Sequence, residues 1–472
     1  MNKPTTILWL RRDLRLTDHP ALVAACARGA VVPVYIFDDQ VAHLGAAAKW
    51  RLGRGIEVLT QALEAAGSRL ILRRGPAVEV LRELIRETGA DAVYWSRLYD
   101  PGAVARDTHV KSELRAEGIE AKSFGGHLLF EPWTVETKTG GYYKVYSPFW
   151  RAVKDVQVDA PLPKPDAITV PETWPQSEAI EEWQMGAALR RGAAVMEQHA
   201  MIGEAAAQGR LGAFIAHKIN DYKARRDFAA QDATSMLSEP LTFGEISPHQ
   251  CWHAAHRAAK EGKTGAEHFL KELVWREFAY HLMHHTPHIL ERNWREGWER
   301  FGWRDEEAAA EAVLRWKQGR TGVGFVDAAM RQMYVTGKMH NRARMIAASY
   351  LTKHLLVDWR VGQAWFEDCL SDWDIASNAM GWQWVAGSGP DAAPYFRIFN
   401  PETQAEKFDP EGAYRHAWIA EGQNRPSDTA LSYFDAVPRS WGLSPDMEAA
   451  KPLISLAQGR QRALEAYENR DF

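Results

Sequence analysis

Cysteine is scarce: Cys26, Cys251 and Cys369 are the only three in 472 residues, they lie far apart, and no CxxC pair occurs. That argues against a disulfide framework, a cysteine zinc site or an iron–sulfur cluster. No apolar run reaches the ~18 residues of a bilayer span, and the start MNKPTTILWLRRDLR lacks the apolar stretch and cleavage pattern of a secretory signal. A cytoplasmic protein is expected. Excess positive charge is missing too, since 57 Lys and Arg against 61 Asp and Glu leave a net charge of −4. Any binding of nucleic acid must then use a local patch. Also absent is a GxGxxG after the first apolar run, which passes straight into Arg11, Arg12, Asp13, Leu14 and Arg15. The Rossmann dinucleotide fingerprint is therefore missing.

What is abundant is tryptophan: 20 Trp exceed 17 Phe and 14 Tyr, and ten of the Trp lie between Trp275 and Trp384. Most are read as packing residues, because Trp buries a large area; Trp275, Trp359, Trp382 and Trp384 are set apart as candidates. At this length two domains are expected. From Ile7 to about Phe130, short apolar runs (ILWL, VVPVYIF, RLILRRG, AVYW) alternate with stretches of helical periodicity. The alternation predicts right-handed βαβ units, hence a doubly wound α/β domain with a parallel sheet over residues 1–130. A connector over 131–195 contains DAPLPKPDAITVPETWPQSE, too rich in Pro and acid to sustain regular structure. From 196 to 472 the pattern is helical almost throughout, predicting an all-α C-terminal domain.

The densest polar cluster is DWDIASNAMGWQW, residues 372–384, with two carboxylates, two amides and three tryptophans. It fits neither a solvated face nor an apolar stripe, and points to a large planar redox ligand with hydrogen-bonding edges. Thr234, Ser235, Met236, Leu237 and Ser238 form a small hydroxyl cluster suited to a phosphate group or, alternatively, to a plain helix cap. Glu272, Trp275 and Arg276 share a helix face: together they could grip an unstacked base, or be an intrahelical ion pair beside a core Trp. In MHNRARM, Arg342 and Arg344 point to different faces, one toward phosphate and one toward a carboxylate such as Asp372. Lys223, Arg225, Arg226, Lys338 and Arg342 would form the local basic patch. His284, His285 and His288 lack a carboxylate or Cys partner at ligand spacing, so no metal site is expected.

Taken together, LWLRRDLRLTDHPAL, TSMLS with FGEISP, ELVWREF, GRTG with VDAAMRQ, MHNRARM, and DWDIASNAMGWQW with DAAPYFRIFNP resemble the DNA photolyase and cryptochrome family, in order, from Ile7 to about Trp418. The resemblance implies an antenna domain, a helical domain holding FAD, blue light and UV-damaged DNA. By motif, Tyr222, Thr234, Ser235, Met236, Leu237, Ser238, Phe269, Asn341, Arg344, Asp372, Asp374 and Asn378 would line FAD, with Arg344 paired to Asp372 and Asn378 facing the flavin N5. Trp373 belongs to this set by position, with no role beyond packing. Asn at the N5-facing position favours repair, since a neutral amide adds no repulsive charge to a reduced anionic flavin.

The resemblance further implies that Arg226, Glu272, Trp275, Arg276, Asn341, Arg342, Met345, Trp384 and Gln404 contact the DNA lesion, a flipped cyclobutane pyrimidine dimer. Glu272 would be electronically active in catalysis, beside Asn378. Trp382, Trp359 and Trp303 would carry an electron inward from the surface, with Trp298 close enough to replace Trp303. Met236, Glu239, Pro240, Thr242, Gly324 and Lys338 depart from the commonest family pattern, and Lys338 is expected to face DNA. A six-four photoproduct specificity is disfavoured, because a His pair would then stand at Asn341 and Met345. The expected antenna is 5,10-methenyltetrahydrofolate, with 8-hydroxy-5-deazaflavin the alternative, near Asp38, Asp39, Trp50 and Arg51. A monomeric light-dependent lyase is expected, with a signalling cryptochrome as the alternative.

Overall fold

In the computed structural model, residues 4–189, 192–391 and 397–472 are described; residues 392–396 of DAAPYFRIFNP lie outside them. Five strands, β1 (Thr5–Leu10), β2 (Ala30–Phe37), β3 (Ile71–Arg74), β4 (Ala92–Ser96) and β5 (Glu120–Phe124), form one parallel sheet in the order β3-β2-β1-β4-β5. Both faces of its centre are covered, which is why β1, β2 and β4 read as near-continuous apolar runs. Alternation along each strand sorts the side chains. Ile7, Trp9, Val34 and Trp95 pack on Leu81, Leu84, Val110 and Leu114, whereas Leu8, Leu10, Tyr35 and Tyr94 pack on Leu22, Leu52 and Leu59.

The order reverses between β1 and β4, the crevice where α/β sheets usually take ligands. Here Arg11 fills it, donating to the Ser96 carbonyl and pairing with Asp107 at 3.0 Å. The second apolar cluster does not stop at the domain boundary: it continues through Phe243 to Trp316 and Trp382 in the helical half. Gly244 makes that junction close. It ends the Ser238–Phe243 helix at φ +68, and a Cβ there would lie 2.1 Å from the Arg12 carbonyl oxygen.

The connector over 131–195 does hold regular structure and packs on both halves. Its Tyr146–Val153 helix buries Phe149 and Val153 with Phe278 of the helical half. Further on, Glu178 N–H donates to the Leu72 carbonyl (2.9 Å) and Ser177 Oγ accepts from Leu72 N–H (2.9 Å). The free edge of β3 is thereby capped.

Three of the four residues expected beside an antenna are committed elsewhere. Arg51 is 0% exposed, pairing with Glu239 (3.1 Å) and Glu245 (2.6 Å) across the domain junction. Trp50 is buried with Ala47 and Met196. Asp38 caps the Asp39–Ala42 helix and pairs with Arg106 at 2.7 Å. Trp50 and Arg51 lie on the Ala46–Ala65 helix rather than in a loop at the sheet's end, and the helical domain covers them.

Candidate functional site

The Ile375–Ala386 helix organises the centre. Asp374 caps it, one carboxylate oxygen accepting the Ser377 N–H at 2.8 Å and the other the Tyr280 O–H at 2.5 Å. Asn378 is buried, and its amide donates to the Asp374 carbonyl at 3.0 Å, which fixes the direction of its side-chain oxygen. One turn later, on the same face, Gly381 opens onto space: no heavy atom lies within 4 Å of where its Cβ would be. Arg344 Nη2 donates to both Asp372 oxygens (2.9 and 2.8 Å), tying the Asn341–Ser349 helix to this segment. Trp373 is buried in the core.

Beside it, the Ser238–Phe243 helix begins at Leu237 without a side-chain cap, so the hydroxyls of Thr234, Ser235 and Ser238 are not spent as a plain N-cap. Met236 has φ 52 and turns its side chain outward, while its carbonyl accepts from Arg210 at 3.0 Å. Tyr222 and Phe269 are buried with ring centroids 5.9 Å apart. Carboxylates, an oriented amide, an arginine and free hydroxyls around open space suit a flat ligand with polar edges and a phosphate tail.

Tyr280 and His127 were not singled out from sequence, although Tyr280 shares the Arg276 face at i+4. His127 Nε2 lies 3.0 Å from the Tyr280 hydroxyl, and Arg276 donates to both that nitrogen and the His127 carbonyl at 2.8 Å. Burial, and then Asp374, hold the Tyr280 phenol well above its ordinary pKa. Burial, and then Arg276, hold His127 well below its ordinary value, so its ring is neutral. Arg276 is thus turned toward the α/β half and makes no ion pair with Glu272.

Glu272 instead pairs with Arg226. Arg226 Nε stands 4.0 Å from Asp227, whose other oxygen pairs with Arg342 at 2.8 Å. Lys338, expected to face DNA, points inward to the His199 carbonyl (2.8 Å) and Glu239 (3.4 Å). Of the expected basic patch, only Lys223 and Arg225 are exposed; Arg226, Lys338 and Arg342 are partly buried. Trp275 is braced by Tyr146, stacked at 3.6 Å and 6°, whose hydroxyl donates to the Lys271 carbonyl at 2.7 Å. Gln404 borders a cleft of ≈ 400 Å³ with Asp227, Arg342, Lys407 and Phe408. Met345 Sδ lies 3.9 Å from Arg342, Asn341 is exposed, and the Arg397 guanidinium sits 5.8 Å over Trp384.

On the far side, Trp382 is boxed by Phe366 (4.8 Å) and Trp316 (6.4 Å) and lies against Gly362. Trp359 is fully buried and donates to Asn293 Oδ1 at 2.9 Å. Trp303 is partly exposed and touches Phe301, whereas Trp298 is buried between Phe301 and Phe472.

A doubly wound domain sealed onto a helical domain, with this polar cluster around Asp374 and Asn378, has the make-up of a two-domain ligand-binding protein. Residues 6–166 match the family described as DNA photolyase, and residues 269–469 the one described as the FAD binding domain of DNA photolyase. The deoxyribodipyrimidine photo-lyase of Agrobacterium fabrum is 44% identical over 98% of this chain and 97% of its own. Cryptochrome-2 of Arabidopsis thaliana is 32% identical over 97% of this chain and 77% of its own. A bacterial class III photolyase from Agrobacterium tumefaciens superposes with a TM-score of 0.90 and 42% identity, covering 99% of this chain and 98% of that one. The chain belongs to the DNA photolyase family, which these similarities show to include the cryptochromes.

Proposed function

We propose that this protein repairs cyclobutane pyrimidine dimers in DNA under blue light, with FAD as cofactor. The observation that carries the reading is Asn378: a neutral amide, oriented by its bond to the Asp374 carbonyl, directly beside open space. Reduced FAD, when bound, supplies a light-excited electron that splits the cyclobutane ring and is then returned. The chain's own residues hold and expose the reactants. Tyr280 and the Ser377 N–H fix Asp374 as a hydrogen-bond acceptor for the edge of a ring. The Thr234–Ser238 hydroxyls take the phosphate end.

At the lesion, Trp275 and Trp384 stack the flipped bases, worth roughly 1–3 kcal/mol per base. Tyr146 holds Trp275 in place before substrate arrives. Glu272 hydrogen-bonds the pyrimidine carbonyl where charge develops. A dimer is already poorly stacked, so flipping it costs less than flipping a normal pair. Trp382, Trp359 and Trp303 form the inward electron route, and the partial exposure of Trp303 makes it a better surface terminus than buried Trp298.

Blue light on the reduced protein with thymine-dimer DNA is expected to restore the bases. Unchanged dimer content, with a light-induced change confined to the protein, would point to the photoreceptor reading instead. Glu272→Ala is expected to lower repair yield more than DNA binding; equal loss of both would contradict its electronic role. For the antenna, folate is proposed over deazaflavin, and the absorption spectrum of the purified protein decides between them. Among the described residues no helix is long and apolar enough to cross a membrane.

A further inference from the structure

The DNA-facing arginines do not stand free in this structure. Glu272, Arg226, Asp227 and Arg342 form a ladder of alternating charge, with Glu272 on Arg226, Arg226 Nε 4.0 Å from Asp227 Oδ1, and Asp227 Oδ2 2.8 Å from Arg342 Nη2. The four charges cancel. Arg342 is further confined by the Phe408 ring, 4.6 Å from its guanidinium carbon, and its buried Nε has no hydrogen-bond partner. Beside the Asp227–Arg342 rung lies the ≈ 400 Å³ cleft bordered by Gln404 and Lys407, wide enough to admit a phosphate.

We propose that Asp227 is a specificity-determining residue: its carboxylate holds the Arg342 position until a DNA phosphate displaces it. This rests on the reading of the protein as a DNA repair enzyme. A phosphate entering the cleft presents oxygens to both Arg342 Nη2 and the unpartnered Nε, which Asp227 does not satisfy. The released carboxylate is adjacent to Arg226 and competes there with Glu272. Phosphate capture at one end of the ladder therefore loosens Glu272 at the other, where it would meet the lesion.

Undamaged duplex gains only the phosphate contact and loses the ion pair, so it binds weakly. A dimer adds the contacts of freed Glu272 and the stacking tryptophans. Exchange of one anion for another also releases fewer counterions than binding at a bare arginine. The ladder thus flattens the salt dependence of non-specific binding.

The test is dark binding of undamaged and thymine-dimer duplexes by wild type and Asp227→Asn across a salt series. In the variant, affinity for undamaged duplex is expected to rise about fivefold, the upper end of what a partly exposed ion pair contributes. The salt slope should steepen by about 0.9, one phosphate's worth, and discrimination for the dimer should fall. A purely structural role for Asp227 would not steepen the slope. Asp227→Glu, which retains the anion, should restore wild-type behaviour. If wild type repairs dimers under light but Asp227→Asn leaves slope and undamaged affinity unchanged or lower, the ladder is wrong and the repair reading stands. If wild type does not distinguish dimer from undamaged DNA and does not repair it, the repair reading fails and takes the ladder with it.

Discussion

Gly362→Ala sets two effects of opposite sign against each other. Gly362 lies within the Trp359–Cys369 helix, where replacing Gly by Ala should by propensity alone stabilise by about 0.8–1.0 kcal/mol. An added Cβ, however, would sit 2.1 Å from Trp382 Cη2 and 2.6 Å from both Trp382 Cζ3 and Leu351 Cδ2. Ordinary carbon contact is near 3.5 Å, so the indole would have to withdraw by about 1.4 Å. It has little room, with Phe366 at 4.8 Å and Trp316 at 6.4 Å. Overpacking of this kind costs about 1–3 kcal/mol. Strain should win, leaving the variant roughly 1 kcal/mol less stable by the difference of these ranges. Because the displaced ring is the first member of the proposed electron route, photoreduction of oxidised flavin should slow. Dimer repair by protein already reduced should persist, since Trp382 does not face the lesion. Urea unfolding and light-driven flavin reduction measure the two effects. A variant about 1 kcal/mol more stable than wild type, photoreducing at the wild-type rate, would refute both the packing argument and the route.

Two further outcomes follow from buried charge. Arg51→Met strands Glu245, which is 0% exposed and pairs with Arg51 at 2.6 Å; breaking a buried pair costs about 3–5 kcal/mol, to be read as a fall in the urea midpoint. Burial raises the Glu277 carboxyl from 4.5 to about 7, against the N–H groups of Leu129 and Phe130 that donate to it. A carboxyl whose folded pKa is raised stabilises the fold fully below pH 4.5, and that contribution is lost as pH rises through about 7. Glu277→Gln, which keeps an acceptor for both N–H groups, should flatten stability against pH across that window, and an unchanged profile would locate the titration elsewhere.

Four strands of the sheet were legible because short apolar runs between helical stretches have few other solutions, whereas the fifth, Glu120–Phe124, is a half-exposed edge strand (EAKSF) with no apolar run to announce it. The Arg344–Asp372 pair was legible for a similar reason, since helical spacing sends Arg342 and Arg344 to different faces. What escaped is what a second element decides. Spacing placed Glu272, Trp275 and Arg276 on one face, but Arg276 is taken by His127, 149 positions away, and Trp275 by Tyr146. Lys338 reads as a surface cation until Glu239 is placed behind it. Asp227 was not singled out at all, because its pairing depends on Arg342 arriving from a distant helix.

The apolar cluster that runs from Leu8 and Leu10 through Phe243 to Trp382 has a consequence for how the gene can be cut. The N-terminal half is not a detachable module. An expressed fragment of residues 196–472 would leave Glu239 and Glu245 without Arg51 and would bare Phe243 and its neighbours to water. Such a truncation should aggregate rather than survive as a small domain of its own, so new properties of the N-terminal half would have to be acquired by substitution within this chain, not by exchange of a cassette.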